Sequence, residues 1–149
     1  MIIVSALFIA LVLGLTSALH FYWAAGGMWP ARDEQSLART VIGGNGIAGM
    51  PDRRLTIAVA SCIALAAVWP MLWLGWIVTP APDWLLTAGM AVLSIVFIAR
   101  GIAGFVPAVK KMNSEEPFAT LNARYFSPLI VLLGLILTVL RLTDPRVTP

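Results

Sequence analysis

Charged residues are scarce in this chain of 149 residues, where they make up 11% of the sequence. The mean hydropathy of +0.91 is far above that of a typical globular protein. Ten Lys and Arg residues against seven Asp and Glu residues give a net charge of +3. The basic residues form no dense run, so we predict no nucleic-acid partner.

Cysteine and histidine are nearly missing, since the chain has one of each. Cys62 therefore has no partner for an intrachain disulfide, and we interpret it as a small packing residue. One imidazole and one thiol cannot build a zinc site, and bis-histidine haem ligation within one chain is excluded. No Asp or Glu lies inside the predicted helices to orient His20, so a catalytic triad is excluded as well. We predict no metal site and no cofactor.

Long apolar segments are what the chain does have. Residues 55–82 contain no charge over 28 positions, whereas a bilayer core of about 30 Å needs only about 20 apolar residues in a helix. We predict an all-α integral membrane bundle of four transmembrane helices that forms one domain over residues 1–149. The helices are predicted near residues 2–26, 55–79, 84–107 and 125–142. The first segment is alternatively a signal peptide, but no Lys or Arg precedes its apolar run.

Basic residues divide unequally between the two ends of the predicted bundle. The two longer loops carry seven of them: Arg32, Arg39, Arg53, Arg54, Lys110, Lys111 and Arg124. The other end carries Arg141 and Arg146. The positive-inside rule therefore predicts that these loops are cytoplasmic and that both termini lie on the outer side of the inner (plasma) membrane.

Two ionisable residues, His20 and Arg100, interrupt the apolar helices. An Arg at a helix centre costs about 2.5 to 3.5 kcal/mol on insertion scales, so such groups tend to face protein or water. With a rise of about 1.5 Å per residue, both lie about 7 to 11 Å below the same interface. Their matched depth predicts a polar pocket that opens to the cytoplasm.

The candidate binding residues of this pocket lie on two helices and on the second long loop; catalytic residues are not assigned. They are His20, Trp23, Arg100, Glu115, Glu116, Asn122 and Arg124. Two alternatives stay open. Arg100 can snorkel to the headgroups, and His20 can hydrogen-bond a neighbouring helix.

Glycine and alanine patterns indicate loop structure and helix contacts. Residues 44–49 match the glycine-rich dinucleotide fingerprint, but no strand precedes them, so we interpret them as a flexible cytoplasmic loop. Small residues also recur on the second and third helices, where they let backbones approach closely. Such stripes serve either contacts inside the bundle or a homo-oligomer. They consist of Ala60, Ala64 and Ala67, and of Ala99, Ala103 and Gly104.

Three blocks of residues carry a family resemblance. They are residues 20–27, Arg100-Gly101 followed by Phe105, and Pro117-Phe118 through Asn122 to residues 125–129. In these blocks the chain resembles the small bacterial membrane proteins of the family called domain of unknown function 3995. The resemblance implies a four-helix membrane protein whose distinctive residues gather at one membrane face, and it implies no activity. Family members commonly have an acidic residue where this chain has Asn122, which argues against an acid or base role at that position.

Two functions agree with these patterns. The first is an accessory or structural membrane subunit, whose partners are the lipid bilayer and either a homo-oligomer or a larger membrane complex. The alternative is a lipid- or small-molecule-binding protein or enzyme with its polar pocket around His20 and Arg100. The missing acid-base set favours a protein that is not an enzyme, and the lack of an inverted repeat argues against a transporter.

Overall fold

The computed structural model describes residues 2–143, which form helices and no strand. The elements in chain order are α1 (Ile2–Ala24), α2 (Glu34–Val41), α3 (Arg53–Trp73), α4 (Asp83–Ala103), α5 (Pro107–Met112), α6 (Phe118–Leu121), a π-helical turn (Asn122–Phe126) and α7 (Ser127–Leu142). Four helical segments are long and apolar enough to cross a membrane: Ile2–Ala24, Arg53–Trp73, Asp83–Ala103 and Phe118–Leu142. The predicted all-α architecture with four transmembrane helices is confirmed.

Consecutive spans run antiparallel, as contacts near their ends show. Ser17 Oγ, near the end of α1, donates a hydrogen bond of 2.8 Å to the carbonyl of Ala60 near the start of α3. Trp69 Nε1, near the end of α3, donates one of 3.0 Å to the carbonyl of Leu86 near the start of α4. We call the end with the connections 25–52 and 104–117 the loop end, and the end with the α3–α4 turn the turn end.

The core of the bundle is apolar and draws on all four spans. Ile9, Leu13, Met90, Leu133 and Leu137 are buried within one cluster, and α3 adds Ala66, Ala67 and Trp73 to it. The main pairings are α1 with α3 and α4 with α7. α1 and α4 are therefore at opposite corners of the bundle, which separates the two helices that carry His20 and Arg100.

Glycines end two spans earlier than the hydropathy pattern indicates. α3 stops at Trp73 rather than near 79, because Gly75 adopts φ 75° and the Trp76 amide turns back to the Met71 carbonyl at 2.9 Å. α1 stops at Ala24 in the same way, with Gly26 at φ 93° and the Gly27 amide bonded to Tyr22. Both ends are Schellman motifs, in which a left-handed glycine satisfies the last helical carbonyls.

The fourth span is longer than predicted. Its helical run begins at Phe118, not near 125, and continues through the π-helical turn to Leu142. Its 25 residues are enough to cross a bilayer core. The third span ends at Ala103 rather than near 107, and α5 follows it as a separate short helix that begins at Pro107.

Small residues let α4 and α7 approach each other closely. Gly101, Gly104 and Gly134 are buried at this contact. A Cβ on Gly104 would collide with the hydroxyl of Ser127 and lie 3.0 Å from Asn122 Nδ2. The predicted stripes are thus used inside the bundle at Ala60, Ala67 and Gly104, whereas Ala99 is exposed.

Two tryptophans at the turn end join α3 to α4. Besides its bond to Leu86, the Trp69 indole covers Gly89 so closely that a Cβ there would overlap the ring. Trp73 is buried, and its Nε1 lies 3.4 Å from Thr87 Oγ1. These bonds satisfy the indole donors inside the protein.

We expect Gly104→Ala to destabilise the protein by about 1 to 3 kcal/mol, the usual cost of overpacking a tight contact. The φ of −63° at Gly104 is open to alanine, so the effect is steric rather than conformational. Gly14→Ala in α1 is the matched control, because nothing lies within 4 Å of the added methyl group. Denaturant unfolding in detergent, followed by tryptophan fluorescence, measures both variants. Equal stability of the two would contradict the proposed packing.

Candidate functional site

The two long connections pack against each other and form a folded cap on the loop end. Asn45 Nδ2 donates a hydrogen bond of 2.8 Å to the Lys111 carbonyl, and Asn45 Oδ1 accepts one of 2.7 Å from Ser114 Oγ. Gly43, at φ 67°, lies directly under the Phe118 ring. The glycine-rich segment 44–49 therefore contains a docking residue for the second connection.

Every carboxylate of the cap accepts hydrogen bonds from the protein itself. The acceptors and donors are Asp33 with the Ser36 amide, Glu34 with the Met50 amide, Asp52 with the Arg54 amide, Glu115 with the Gly46 amide, and Glu116 with the amide and hydroxyl of Thr120. The carboxylates thus serve mainly to satisfy backbone donors at helix starts and turns.

Asp33 shows the electrostatic consequence of such capping. The Ser36 amide, and then the Ser36 hydroxyl, hold the pKa of the Asp33 carboxyl below its ordinary value of 3.8. The ionised carboxylate caps α2 at neutral pH. Because its folded-state pKa is lowered, this stabilisation is present above pH 3.8 and is lost as the pH falls through the folded-state pKa.

Most cations at the loop end have no carboxylate partner. Within residues 2–143 the one ion pair joins Arg39 Nε to Glu115 Oε2 at 3.6 Å. Lys110 and Arg124 lie over aromatic rings instead, with Lys110 Nζ 5.8 Å from the Phe105 centroid and the Arg124 guanidinium carbon 5.6 Å from that of Tyr125. The remaining described cations of this end are Arg32, Arg53, Arg54, Arg100 and Lys111. The loop end therefore presents a surplus of positive charge.

Arg100, Asn122 and Ser127 meet where α4 crosses the π-helical turn. Arg100 Nη2 lies 3.5 Å from Asn122 Oδ1, and Ser127 Oγ donates a hydrogen bond of 3.1 Å to the same oxygen. Asn122 and Ser127 are buried, whereas Arg100 is exposed. The Ser127 amide also bonds to the Asn122 carbonyl five residues back, which is the π-helical spacing. Such turns occur frequently at functional sites.

A cleft of about 480 Å³ lies beside this cluster, and Asn122 belongs to both. The cleft is lined by Lys110, Asn113, Ser114, Glu116, Ala119, Thr120, Asn122, Ala123 and Arg124. Its lining includes two cations, Lys110 and Arg124, and its one carboxylate, Glu116, already accepts from Thr120. Charge-assisted donors arranged in this way suit a phosphate or carboxylate group.

His20 lies on α1, away from this cleft. Its Nδ1 is 2.8 Å from the Thr16 carbonyl, and its ring centroid is 4.9 Å from that of Trp23. A carbonyl can only accept, so the contact assigns a proton to Nδ1. Trp23 in turn donates to the Trp29 carbonyl at 2.7 Å, which fixes its indole.

The predicted pocket residues fall into separate places. Glu116, Asn122 and Arg124 line the cleft, with Arg100 joined to it through Asn122. Trp23 lines a second cavity of about 260 Å³, which shares no lining residue with the cleft. His20 and Glu115 line neither of these two cavities. In the described part of the chain no hydrogen bond or ring contact joins His20 to Arg100, and a pocket shared by the two stays a prediction.

Several residues of the cleft were not predicted from the sequence. They are Lys110, Asn113, Ser114 and Thr120 in the lining, and Ser127 beneath it. The signal for Ser127 was a polar residue at the start of an apolar span, beside a proline. The other four lie between the predicted third and fourth helices, two of them in α5 and α6, and nothing in their spacing indicates that they face one cleft. No group of three or more His, Cys, Asp or Glu residues suited to a metal occurs within residues 2–143.

Comparison with known proteins gives one match. A family model described as "Protein of unknown function (DUF3995)" matches residues 13–137. This range includes all four spans at least in part, the cleft and the second cavity. No curated protein and no solved structure matches the chain.

Proposed function

The chain belongs to the DUF3995 family of proteins of unknown function, and from that premise we propose that it binds a phosphate group of an anionic lipid at its loop end. The observation that carries this proposal is the excess of positive over negative charge at that end. Its carboxylates accept hydrogen bonds from the protein, while cations without a carboxylate partner line or adjoin a cleft of about 480 Å³. A phosphate supplies the missing negative charge.

The position of the cations favours a lipid as the source of the phosphate. Arg100 is in the last turn of α4, and Arg124 lies in the first turns of the fourth span. Both therefore lie near the level where a span leaves the hydrocarbon core. Cations at this depth attract anionic headgroups by about 1 kcal/mol each. If Arg100 snorkels toward the headgroups, its guanidinium reaches the lipid phosphate, so the snorkelling alternative agrees with this proposal.

Binding of phosphatidylglycerol should exceed binding of phosphatidylcholine, and it should depend on the cleft. We expect Lys110→Gln and Arg124→Gln each to weaken phosphatidylglycerol binding about fivefold, which corresponds to about 1 kcal/mol per cation. Asn122→Asp should also weaken it, because a carboxylate 3.5 Å from Arg100 replaces the lipid phosphate. Native mass spectrometry of the detergent-purified protein with added lipids measures these affinities.

Lys111→Gln is the matched control, since Lys111 neighbours Lys110 but does not line the cleft. Its affinity for phosphatidylglycerol should stay within twofold of the unmodified protein. Equal binding of phosphatidylglycerol and phosphatidylcholine, or an equal loss in the Lys110 and Lys111 variants, would contradict the proposal. Free inorganic phosphate that competes as well as the lipid would identify a soluble anion as the ligand.

We propose further that the loop end is cytoplasmic and that the protein lies in the inner membrane, as its excess of Lys and Arg favours. Two exposed positions test this orientation: Met112 at the loop end, 68% exposed, and Val78 at the turn end, 95% exposed. In a Cys62→Ala background, an impermeant maleimide should label Val78→Cys in spheroplasts and Met112→Cys only in inverted vesicles. The reverse pattern would contradict the orientation.

A role as a membrane subunit has separate support from the outer face of α3. Ala58, Ser61 and Cys62 are exposed there, and small residues on a lipid-facing surface suit close packing against another helix. We expect mild oxidation of native membranes to link two chains through Cys62 if a second copy packs on this face, since a disulfide needs Cα atoms within about 7 Å. The Cys62→Ala variant is the control. A monomer on non-reducing electrophoresis after oxidation would count against the homodimer.

A further inference from the structure

The second cavity, of about 260 Å³, lies at the loop end between the end of α1 and the starts of α2 and α3. Its lining includes Trp23, Met28, Glu34, Met50, Arg53 and Thr56. None of these residues lines the cleft of about 480 Å³ that is proposed to bind the lipid phosphate, which we call the anion cleft. At about 30 Å³ for each water in the liquid, the cavity has the volume of about nine waters, which is room for a small headgroup.

Opposite charges face this cavity without neutralising each other. Glu34 and Arg53 both line it, yet no ion pair joins them in the described residues, so their charged atoms are more than 4.0 Å apart. Glu34 Oε1 accepts from the Met50 amide at 3.1 Å, which holds the carboxylate in place and leaves Oε2 for another donor. A fixed anion and a cation thus share one small space.

Trp23 supplies a rigid wall of the same cavity. Its Nε1 is bonded to the Trp29 carbonyl at 2.7 Å, and the His20 ring packs on it at 4.9 Å. Because the indole donor is already satisfied, the ring offers only its apolar and π surfaces to a ligand. Such a surface favours an ammonium group or methylene carbons.

The charges select the class of ligand. A simple anion would be repelled by Glu34, and a simple cation by Arg53. A zwitterion satisfies both groups, and a lipid supplies one at the level where the first and second spans leave the hydrocarbon core. We propose that this cavity binds the phosphoethanolamine headgroup of a lipid, with the ammonium on Glu34 and the phosphate on Arg53.

The experiment uses the full chain in detergent and short-chain phosphatidylethanolamine, phosphatidylcholine and phosphatidylglycerol as probes. Phosphatidylethanolamine should bind more tightly than phosphatidylcholine, because only the unmethylated ammonium donates hydrogen bonds to a carboxylate. Glu34→Gln and Arg53→Gln should each weaken phosphatidylethanolamine binding about tenfold. Glutamine keeps an oxygen for the Met50 amide, so Glu34→Gln should retain the unfolding temperature of the unmodified protein.

Arg54→Gln is the matched control, because Arg54 follows Arg53 directly and does not line the cavity. Its phosphatidylethanolamine affinity should stay within twofold of the unmodified protein. Phosphatidylglycerol binding at the anion cleft should be unchanged in Glu34→Gln, so this inference and the proposed function can fail separately. Unaltered phosphatidylethanolamine binding in Glu34→Gln, or equal binding of phosphatidylethanolamine and phosphatidylcholine by the unmodified protein, would overturn it.

A competition assay identifies the source of the zwitterion. If glycerophosphoethanolamine, which has no acyl chains, displaces the lipid only at far higher concentration, the ligand is the membrane lipid and the proposal stands as written. If it competes at equal concentration, the cavity recognises a soluble zwitterion, and the lipid assignment is overturned.

Discussion

The close approach of α4 and α7 at Gly104 is the contact on which the loop end depends. A hydrogen atom in place of a side chain lets Ser127 and Asn122 reach α4. Asn122 can then accept from Ser127 and lie beside Arg100 in a buried position. The π-helical turn supplies the extra residue that brings Asn122 and Ser127 into register. One tight packing contact therefore positions the polar cluster and one wall of the cleft beside it.

Electrostatics at the loop end follow from how the carboxylates are used. Helix starts and turns expose backbone donors that must be satisfied, and acidic side chains meet that requirement at Asp33, Asp52 and Glu116. Within the described residues, most cations of this end are left without a carboxylate partner. Glu34 likewise accepts from the backbone amide of Met50 and forms no ion pair with Arg53. The two cavities consequently differ in charge, one mainly cationic and one of mixed sign.

The proposed functions share this physical basis. A cationic cleft and a mixed-charge cavity at one membrane face suit headgroups of different chemistry, and neither requires a metal or an acid-base pair. His20 contributes to the second cavity indirectly, by packing on Trp23. Its bond to the Thr16 carbonyl gives the imidazole a defined orientation without assigning it a reaction. The subunit hypothesis concerns a different surface, the outer face of α3, and is independent of both cavities.

The positions of the spans were predictable from the sequence. Apolar length located the four spans, because a bilayer demands about 20 apolar residues whatever the packing. The predicted helix ends were less accurate than the predicted spans. Gly26 and Gly75 are visible in the sequence, but the sequence does not show which glycines adopt the left-handed φ that ends a helix. The start at Phe118 was missed because Asn122 and Arg124 lower the hydropathy of that turn.

The sequence by itself determined that the chain has four segments long and apolar enough to cross a membrane, and which connections carry the positive charge, because these depend on sums over local composition. Tertiary structure decided which polar residues meet. The sequence predicted one level for His20 and Arg100, but depth says nothing about angular position, and α1 and α4 pair mainly with different helices. Arg100 therefore lies beside Asn122, and His20 beside Trp23. Helix order and rotation in a bundle arise from side-chain fit across all four spans, and no single segment encodes that fit.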